Sequence, residues 1–165
     1  NSISIKYTII NESGVTRKVA PWEISRVPNG GILFFDAKEA TPANNMKGMN
    51  FVFEQKAAWF TLDEDKENRK INADGKGWLA FSDNGLLFVK KLQDLKAGEE
   101  APAEAEIQIY ANPGKTFVEI EEQGAYTTLA TGEELDWTVT WYLVAHDLKN
   151  EPSKALLKLA KKIAK

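Results

Sequence analysis

The sequence predicts an all-β protein, an antiparallel β-sandwich followed by one C-terminal amphipathic helix. Short runs rich in β-branched and aromatic residues recur along most of the chain, and turn residues separate them at intervals of about 8–12 residues. After residue 150, the spacing of apolar residues changes from alternation to that of a helix. We therefore expect a β domain over residues 1–150 and a terminal helix within residues 151–165.

The composition is that of an ordinary globular domain. Of 165 residues, 43% are hydrophobic and 27% are charged, so the chain can bury a sizeable core. A net charge of −3 offers no basic stripe for nucleic acid, and no apolar run is long enough for a membrane span. The chain has no cysteine, which excludes disulfides, thiolate zinc sites and cysteine nucleophiles. The composition alone leaves the compartment open.

The first half of the chain alternates predicted strands with turns. Pro28-Asn29-Gly30-Gly31 is a strong turn signal. Polar residues 36–50 predict a loop, and the mixed-charge run 63–70 predicts a solvated loop or a short helical turn. Residues 72–77 predict a turn. Residues 15–20 are expected to pair back on the first strand. The predicted strands are residues 2–10, 15–20, 22–27, 32–35, 51–53 and 59–62.

The second half begins with a predicted hairpin, because Asn84-Gly85 separates two apolar runs. Trp137 and Trp141 alternate with polar residues on the side of Val139, which favours a core position for both tryptophans. Residues 96–103 predict a loop. The predicted strands are residues 78–82, 86–92, 104–111, 116–122, 125–130 and 134–145.

The last residues predict a helix capped by Ser153, with leucines at helical spacing and lysines on the remaining surface. Such a helix could lie on an anionic membrane. The favoured interpretation is a helix docked on the sheet with its lysines in water.

Acidic residues alternate with apolar ones in two predicted strands. Glu119 and Glu121 should share one face of a strand whose other face carries Val118 and Ile120. A second run places Glu104, Glu106, Gln108 and Tyr110 opposite apolar residues in the same way. Carboxylates accept hydrogen bonds from sugar hydroxyls, and aromatic faces stack on pyranose C–H surfaces. The plainer interpretation is the solvated side of a half-exposed sheet.

Several short motifs, in this order and spacing, resemble the second half of galactose-mutarotase-like domains. The resemblance covers roughly residues 3–145 and is closest to an uncharacterised bacterial domain-of-unknown-function family. It implies a large antiparallel supersandwich whose concave face holds a sugar. The motifs include Ala20-Pro21-Trp22, Gly30-Gly31, Gly77-Trp78-Leu79-Ala80, Leu87-Phe88-Val89-Lys90, Glu106-Ile107-Gln108-Ile109-Tyr110, Val118-Glu119-Ile120-Glu121 and Trp137-Thr138-Val139-Thr140-Trp141.

The resemblance also implies catalytic positions. The mutarotase family uses a glutamate general base and a histidine general acid. Glu121 best matches the position of the base, with Glu119 as the fallback. The catalytic histidine belongs to the first half of the family's domain, which this chain lacks, and His146 lies where no family motif places the acid. Whether the chain is an aldose 1-epimerase-like enzyme, an accessory domain or no enzyme at all stays open.

Five further residues are candidate substrate-binding residues. Glu106 is expected to support the site together with Glu119, and the expected walls are Trp22, Arg26, Lys90 and Tyr110. Trp22 offers an aromatic platform, or a core side chain. Arg26 could hold a carboxylate or hydroxyl through its planar guanidinium, or form an exposed ion pair. Lys90 could face the same surface as the glutamates, or be a solvated strand residue. The cluster of Glu106, Glu119 and Glu121 could bind calcium if its strands are neighbours. Oxygen-only ligation from rigid strands needs a particular geometry, which alternation does not provide, so we expect no metal and no cofactor.

Two functions follow as hypotheses. The first is a carbohydrate-binding or sugar-active module of the mutarotase-like type, with carbohydrate as the partner. The alternative is a non-catalytic structural or interaction β-sandwich that packs against another domain, a missing N-terminal half, or a second copy in a homodimer. The resemblance favours a periplasmic or secreted location.

Overall fold

The computed structural model describes residues 1–37, 41–42, 49–64 and 66–165. The helix, α1, is Lys154–Ile163. The strands are β1 Ser2–Ile10, β2 Arg17–Val19, β3 Trp22–Pro28, β4 Ile32–Phe35, β5 Thr41–Pro42, β6 Val52–Glu54, β7 Ala57–Thr61, β8 Arg69–Ala73, β9 Trp78–Asp83, β10 Leu86–Lys91, β11 Ile107–Ala111, β12 Phe117–Gln123, β13 Thr127–Leu129 and β14 Glu134–Ala145.

The strands form two large antiparallel sheets. The first has seven strands in the order β1-β14-β10-β9-β4-β7-β6, and the second has five in the order β3-β12-β11-β8-β5. Strands β2 and β13 form a separate small ribbon. This architecture confirms the predicted antiparallel β-sandwich with one C-terminal helix.

Two apolar layers hold the fold together. Between the sheets, side chains such as Ile109 and Ile120 from the five-stranded sheet and Phe60 from the seven-stranded sheet form the main core. On the other side of the seven-stranded sheet, Trp59 belongs to a second buried cluster that includes Leu156 of α1. Helix α1 therefore covers the outward face of the seven-stranded sheet and leaves the outward face of the five-stranded sheet uncovered.

Helix α1 is docked on the sheet, as the favoured interpretation of its sequence predicts. Ser153 caps it, because the Ser153 side chain accepts a hydrogen bond from the backbone N–H of Leu156. Leu156 and Ala160 are fully buried against the sheet, and Lys161 and Lys162 lie in the last turn, where they suit the helix dipole. Within the part of the chain that the structure describes, no helix is long and apolar enough to cross a membrane.

Several predicted elements were wrong. Strand β8 falls in residues predicted as loop and turn, because its outward residues are Lys70 and Asn72, two types that are depleted in strands. Strand β11 begins at Ile107, not at residue 104. Strand β2 pairs with β13 and not with β1. Strand β5 lies in the predicted loop 36–50, whose residues 38–40 and 43–48 fall outside the described part of the chain.

Candidate functional site

The outward face of the five-stranded sheet collects most of the candidate residues. In β12, Val118 and Ile120 belong to the core between the sheets, so Glu119 and Glu121 project to the opposite side. The same alternation in the neighbouring strands turns Trp22, Arg26 and Tyr110 outward, because the residues between them face the core. Five of the seven candidate residues therefore share one surface, which we call the outer face: Trp22, Arg26, Tyr110, Glu119 and Glu121.

Strand register arranges this surface in rows. Arg26 lies opposite Glu119, Glu119 opposite Tyr110, and Tyr110 opposite Lys70, so four polar or aromatic side chains cross the sheet in line. The next row contains Ile24, Glu121, Gln108 and Asn72. Directly opposite side chains in antiparallel strands are close enough to interact. Glu119 therefore has Arg26 directly opposite it, whereas Glu121 has Gln108 opposite it and Lys70 in the adjacent row.

Glu121 lies at the centre of a three-residue group. Lys70 Nζ is 2.8 Å from Glu121 Oε2 and 4.8 Å from the centre of the Trp22 ring. Burial raises the pKa of Glu121, and Lys70 lowers it in part. Half of the Trp22 surface stays exposed beside this ion pair. The group thus combines an open aromatic surface with an ordered, largely buried carboxylate.

Glu119 belongs to a second ion pair on the same face. Arg26 Nε donates to Glu119 Oε1 at 2.8 Å, and the Arg26 guanidinium carbon lies 4.4 Å from the centre of the Phe117 ring. The Arg26 side chain is 67% exposed, whereas that of Glu119 is 15% exposed. Stacking and pairing fix the guanidinium plane and leave its terminal N–H groups toward solvent.

The other end of the outer face is partly covered by a loop. Asn72 Nδ2 donates to the Ala103 carbonyl at 3.0 Å, and Gln108 Nε2 donates to the Ala105 carbonyl at 3.3 Å. The Tyr110 hydroxyl is within hydrogen-bond distance of the side-chain oxygen of Asn68, at 3.0 Å. The open part of the face therefore lies toward the edge strand β3, where Trp22, Ile24 and Arg26 follow one another.

Glu106 does not lie on the outer face. Because β11 begins only at Ile107, the Glu106 side chain turns to the neighbouring loops, where its carboxylate accepts from the backbone N–H of Gly77 at 3.0 Å and of Leu95 at 2.6 Å. Burial raises the pKa of Glu106 to about 7. The carboxylates grouped with it are those of Asp74 and Asp94, and not those of Glu119 and Glu121.

Lys90 lies between the two sheets and is fully buried, so it is neither on the outer face nor solvated. Its Nζ is 2.7 Å from Glu23 Oε1 and 3.0 Å from Ser25 Oγ, and it also contacts the carboxylate of Glu122. Sequence reasoning missed both glutamates. The sequence did contain a signal for Glu122, because alternation places Glu122 on the same face of β12 as the core residue Ile120.

Aromatic residues complete this buried group. Glu23 accepts from the Tyr7 hydroxyl at 2.6 Å and from Trp141 Nε1 at 2.9 Å. Burial is the main cause that raises the pKa of Glu122 to about 8 and that of Tyr7 to about 12. Trp137 and Trp141 both face this inter-sheet side, Trp137 buried and Trp141 packed against the core, as their alternation predicts.

His146 is engaged far from the outer face, at the end of the β9–β10 hairpin. Its Nδ1 accepts from the backbone N–H of Leu148 at 3.1 Å, so Nε2 is the nitrogen that donates to Ser82 Oγ at 3.0 Å. The Ser82 hydroxyl in turn donates to Asn150 Oδ1 at 2.6 Å. Because the sequence has one histidine, the outer face receives no histidine from this chain.

Comparison with known proteins supports the fold. No protein-family model matches the sequence, and no curated protein matches it. Among solved structures, the chain is similar to a protein from Escherichia coli K12 described as a "putative aldose 1-epimerase", with a TM-score of 0.61 and 11% sequence identity. The similarity covers 87% of this chain and 56% of the E. coli chain, so this chain spans little more than half of that protein's length. The fold is therefore galactose mutarotase-like.

Proposed function

We propose that this chain is a carbohydrate-binding module of the mutarotase-like type and that the outer face is its sugar site. The observation that carries the proposal is the half-exposed Trp22 ring beside the ordered Glu121–Lys70 pair. An aromatic surface next to polar groups with fixed positions is a combination that suits pyranose rings.

Each part of the outer face has a role in this proposal. The Trp22 ring stacks on the C–H surface of a sugar, and the Glu119 carboxylate accepts hydrogen bonds from its hydroxyls, while the buried Glu121 carboxylate holds Lys70 beside the ring. Lys70 and Arg26 hold those carboxylates through ion pairs of 2.8 Å each, so little side-chain entropy is lost when a ligand binds. Tyr110 lies in the same row as Glu119 and extends the surface across the sheet.

The proposed role is binding without independent epimerase activity. Mutarotation needs a general base and a general acid that act on the anomeric hydroxyl and the ring oxygen of one sugar. Glu121 can serve as the base, since burial raises its pKa, but its Lys70 partner favours the charged form. The chain's one histidine is bound to Ser82, away from the outer face. An active site would therefore need an acid from outside this chain.

Ligand-observed NMR against a panel of monosaccharides and uronic acids tests the proposal. We expect saturation transfer to at least one sugar, and we expect Glu121→Gln and Glu119→Gln to weaken it, because an amide accepts fewer hydrogen bonds and loses its ion pair. Glu134→Gln, at an exposed residue of β14 in the other large sheet, is the matched control and should leave binding unchanged. A panel that shows no binding sugar would contradict the proposal.

A second candidate function is a structural or interaction module that self-associates. The observation that favours it is the edge strand β1, which has nine residues and pairs only with β14 among the described strands. Ile3 is 64% exposed and Ile10 is 52% exposed on this strand. An unpaired edge with exposed apolar residues is a template for pairing with another strand, and a second copy of β1 would fit it.

A further inference from the structure

The lysines of α1 line a groove on the surface opposite the outer face. Its volume is about 440 Å³, and Gln55, from the turn between β6 and β7, forms one wall. Leu157 is the apolar residue among its lining side chains. The remaining lining residues are Lys154, Lys158, Lys161, Lys162 and Lys165.

The charge in this groove is largely uncompensated. Lys161 pairs with Asp36 at 2.6 Å. Among the residues that the structure describes, the other four lysines form no ion pair, and residues 153–165 contain no acidic residue. The whole chain nevertheless carries a net charge of −3. The positive charge is therefore concentrated on one helix of an otherwise acidic protein, which favours an anionic partner there.

A membrane surface does not suit this helix. An interfacial helix binds by burying its apolar face among lipid chains. Here Leu156 and Ala160 are fully buried and Leu157 is 7% exposed, because that face of α1 already packs on the seven-stranded sheet. The lysines would reach the headgroups without any apolar insertion behind them.

Single-stranded nucleic acid is also a poor match. Proteins that bind single strands combine positive charge with aromatic side chains on which bases stack. Among the described residues that line the groove, none is aromatic. What it offers is a set of ammonium groups at Lys154, Lys158 and Lys165. Lys154 and Lys158 lie about 6 Å apart along α1 at the helical rise of 1.5 Å per residue, and Lys165 follows the end of the helix.

We propose that the α1 groove binds an acidic oligosaccharide, one whose sugars carry carboxylate or sulfate groups. A set of ammonium groups in a shallow groove matches an oligosaccharide with regularly spaced anions. The Gln55 amide can form hydrogen bonds with its hydroxyl groups. The choice of a glycan over an acidic peptide rests on the proposed function of the chain. The groove would then be a second, electrostatic site for the same class of polymer that the outer face contacts.

Titration with an oligogalacturonate, followed by calorimetry at low and at moderate salt, tests this inference. In the triple variant Lys154→Gln, Lys158→Gln, Lys165→Gln we expect at least about tenfold weaker binding and a smaller salt dependence, because three charge contacts are lost. Glutamine is a good helix former, so α1 should persist. Circular dichroism and the thermal midpoint verify the fold of the variant.

The matched control is Lys66→Gln, Lys76→Gln, Lys96→Gln, which removes the same charge from exposed lysines elsewhere. An equal loss of affinity in both triple variants would overturn the inference, since net charge alone would then explain it. Equal or tighter binding of poly-glutamate, of phosphatidylserine vesicles or of a single-stranded oligonucleotide would overturn it too. Oligogalacturonate binding that depends on Glu121 and not on the groove lysines would refute the proposed binding site in the groove. The proposal for the outer face would then stand.

Discussion

At the scale of single residues, the group around Lys90 concentrates the buried charge of the molecule. Glu23 and Glu122 lie directly opposite each other on β3 and β12, and both contact the Lys90 ammonium. Tyr7 donates to Glu23 from the edge strand β1. Removing one partner from such a group leaves a buried charge without compensation, so these positions tolerate substitution poorly.

The raised pKa of Glu122 predicts how stability depends on pH. Its pKa is about 8 in the folded chain, against 4.5 as the ordinary value, so the folded state holds a proton that the unfolded state releases. The contribution of Glu122 to the free energy of unfolding is therefore fully present below about pH 4.5 and is lost as the pH rises through 8. Glu106, with a pKa of about 7, adds to the loss over the lower part of that range.

Denaturant unfolding of Glu122→Gln between pH 5 and pH 9 measures this effect. We expect the free energy of unfolding to fall less steeply with pH than in the unmodified chain, because glutamine does not titrate. Glu134→Gln should keep the original slope. A slope that is unchanged in Glu122→Gln would show that this carboxyl does not titrate in the range.

The exposed ring of Trp22 gives a separate prediction for the sugar site. Trp22→Ala should abolish the saturation transfer seen in ligand-observed NMR, because the stacking surface is removed. Phe53→Ala is a suitable control, since Phe53 is 46% exposed and Trp22 50% exposed, and Phe53 belongs to the other sheet. An equal loss of binding in both variants would contradict a specific role for Trp22.

Local alternation was enough to predict which residues share a face, and not enough to predict their partners. The outward position of Glu119 and Glu121 follows from the period of a strand. Their ion pairs with Arg26 and Lys70 depend on register between strands distant in sequence, which alternation does not determine. The buried position of Lys90 was not predicted for the same reason, because its charge is neutralised by residues of the opposite sheet.

At the scale of elements, the turn between β3 and β4 shows how closely the strands approach. A Cβ atom on Gly31 would lie 2.3 Å from the Ser82 carbonyl oxygen of β9 and 2.5 Å from the Phe81 ring. Gly31 therefore allows β4 to enter the seven-stranded sheet beside β9. The close contact is with backbone, which cannot move aside by a change of rotamer.

Gly31→Ala should destabilise the protein by about 1–3 kcal/mol, as expected for an overpacked site. Chemical denaturation with fluorescence of the core tryptophans measures it. Gly14→Ala serves as the comparison, because a Cβ there meets no atom within 4 Å. Equal stability of the two variants would mean that the β3–β4 turn shifts without cost.

Strands were predicted best where residue type and alternation agree. Residues 2–10 and 134–145 combine both signals, and β1 and β14 have those bounds. Strand β8 lacks a clear alternation of apolar and polar residues, because one of its inward residues is Arg69. The Arg69 side chain is buried and pairs with Asp63 at 2.5 Å. From sequence alone, an arginine at an inward position of a strand favours the prediction of a loop, because its ion-pair partner is not known.

At the scale of the whole molecule, the two candidate functions differ in the expected assembly. If β1 pairs with a second copy, light scattering should give the mass of two chains, and Ile3→Lys should shift it toward one, because a charge enters the shared edge. Val15→Lys, which replaces a residue that is 54% exposed outside the strands, should not. A single-chain mass at all concentrations would exclude pairing through β1.

The architecture as a whole was predictable to the level of its class. Strand spacing indicated an antiparallel sandwich, and motif order indicated a mutarotase-like fold, which the similarity to the E. coli structure supports. The order of strands within each sheet was not predictable, because β1 pairs with the strand farthest from it in sequence rather than with its neighbour. Long-range pairing of this kind is a property of the folded molecule.

That pairing of β1 with β14 has a consequence during protein synthesis. Ile3 is paired with Trp141, so β1 is synthesised well before β14 and cannot join its sheet until β14 has left the ribosome. At about 5–20 residues per second, β1 stays without its partner for roughly ten seconds. Because Ile3, Ile5 and Ile9 lack their sheet during that interval, we expect the nascent chain to be a substrate for chaperones that bind short apolar segments.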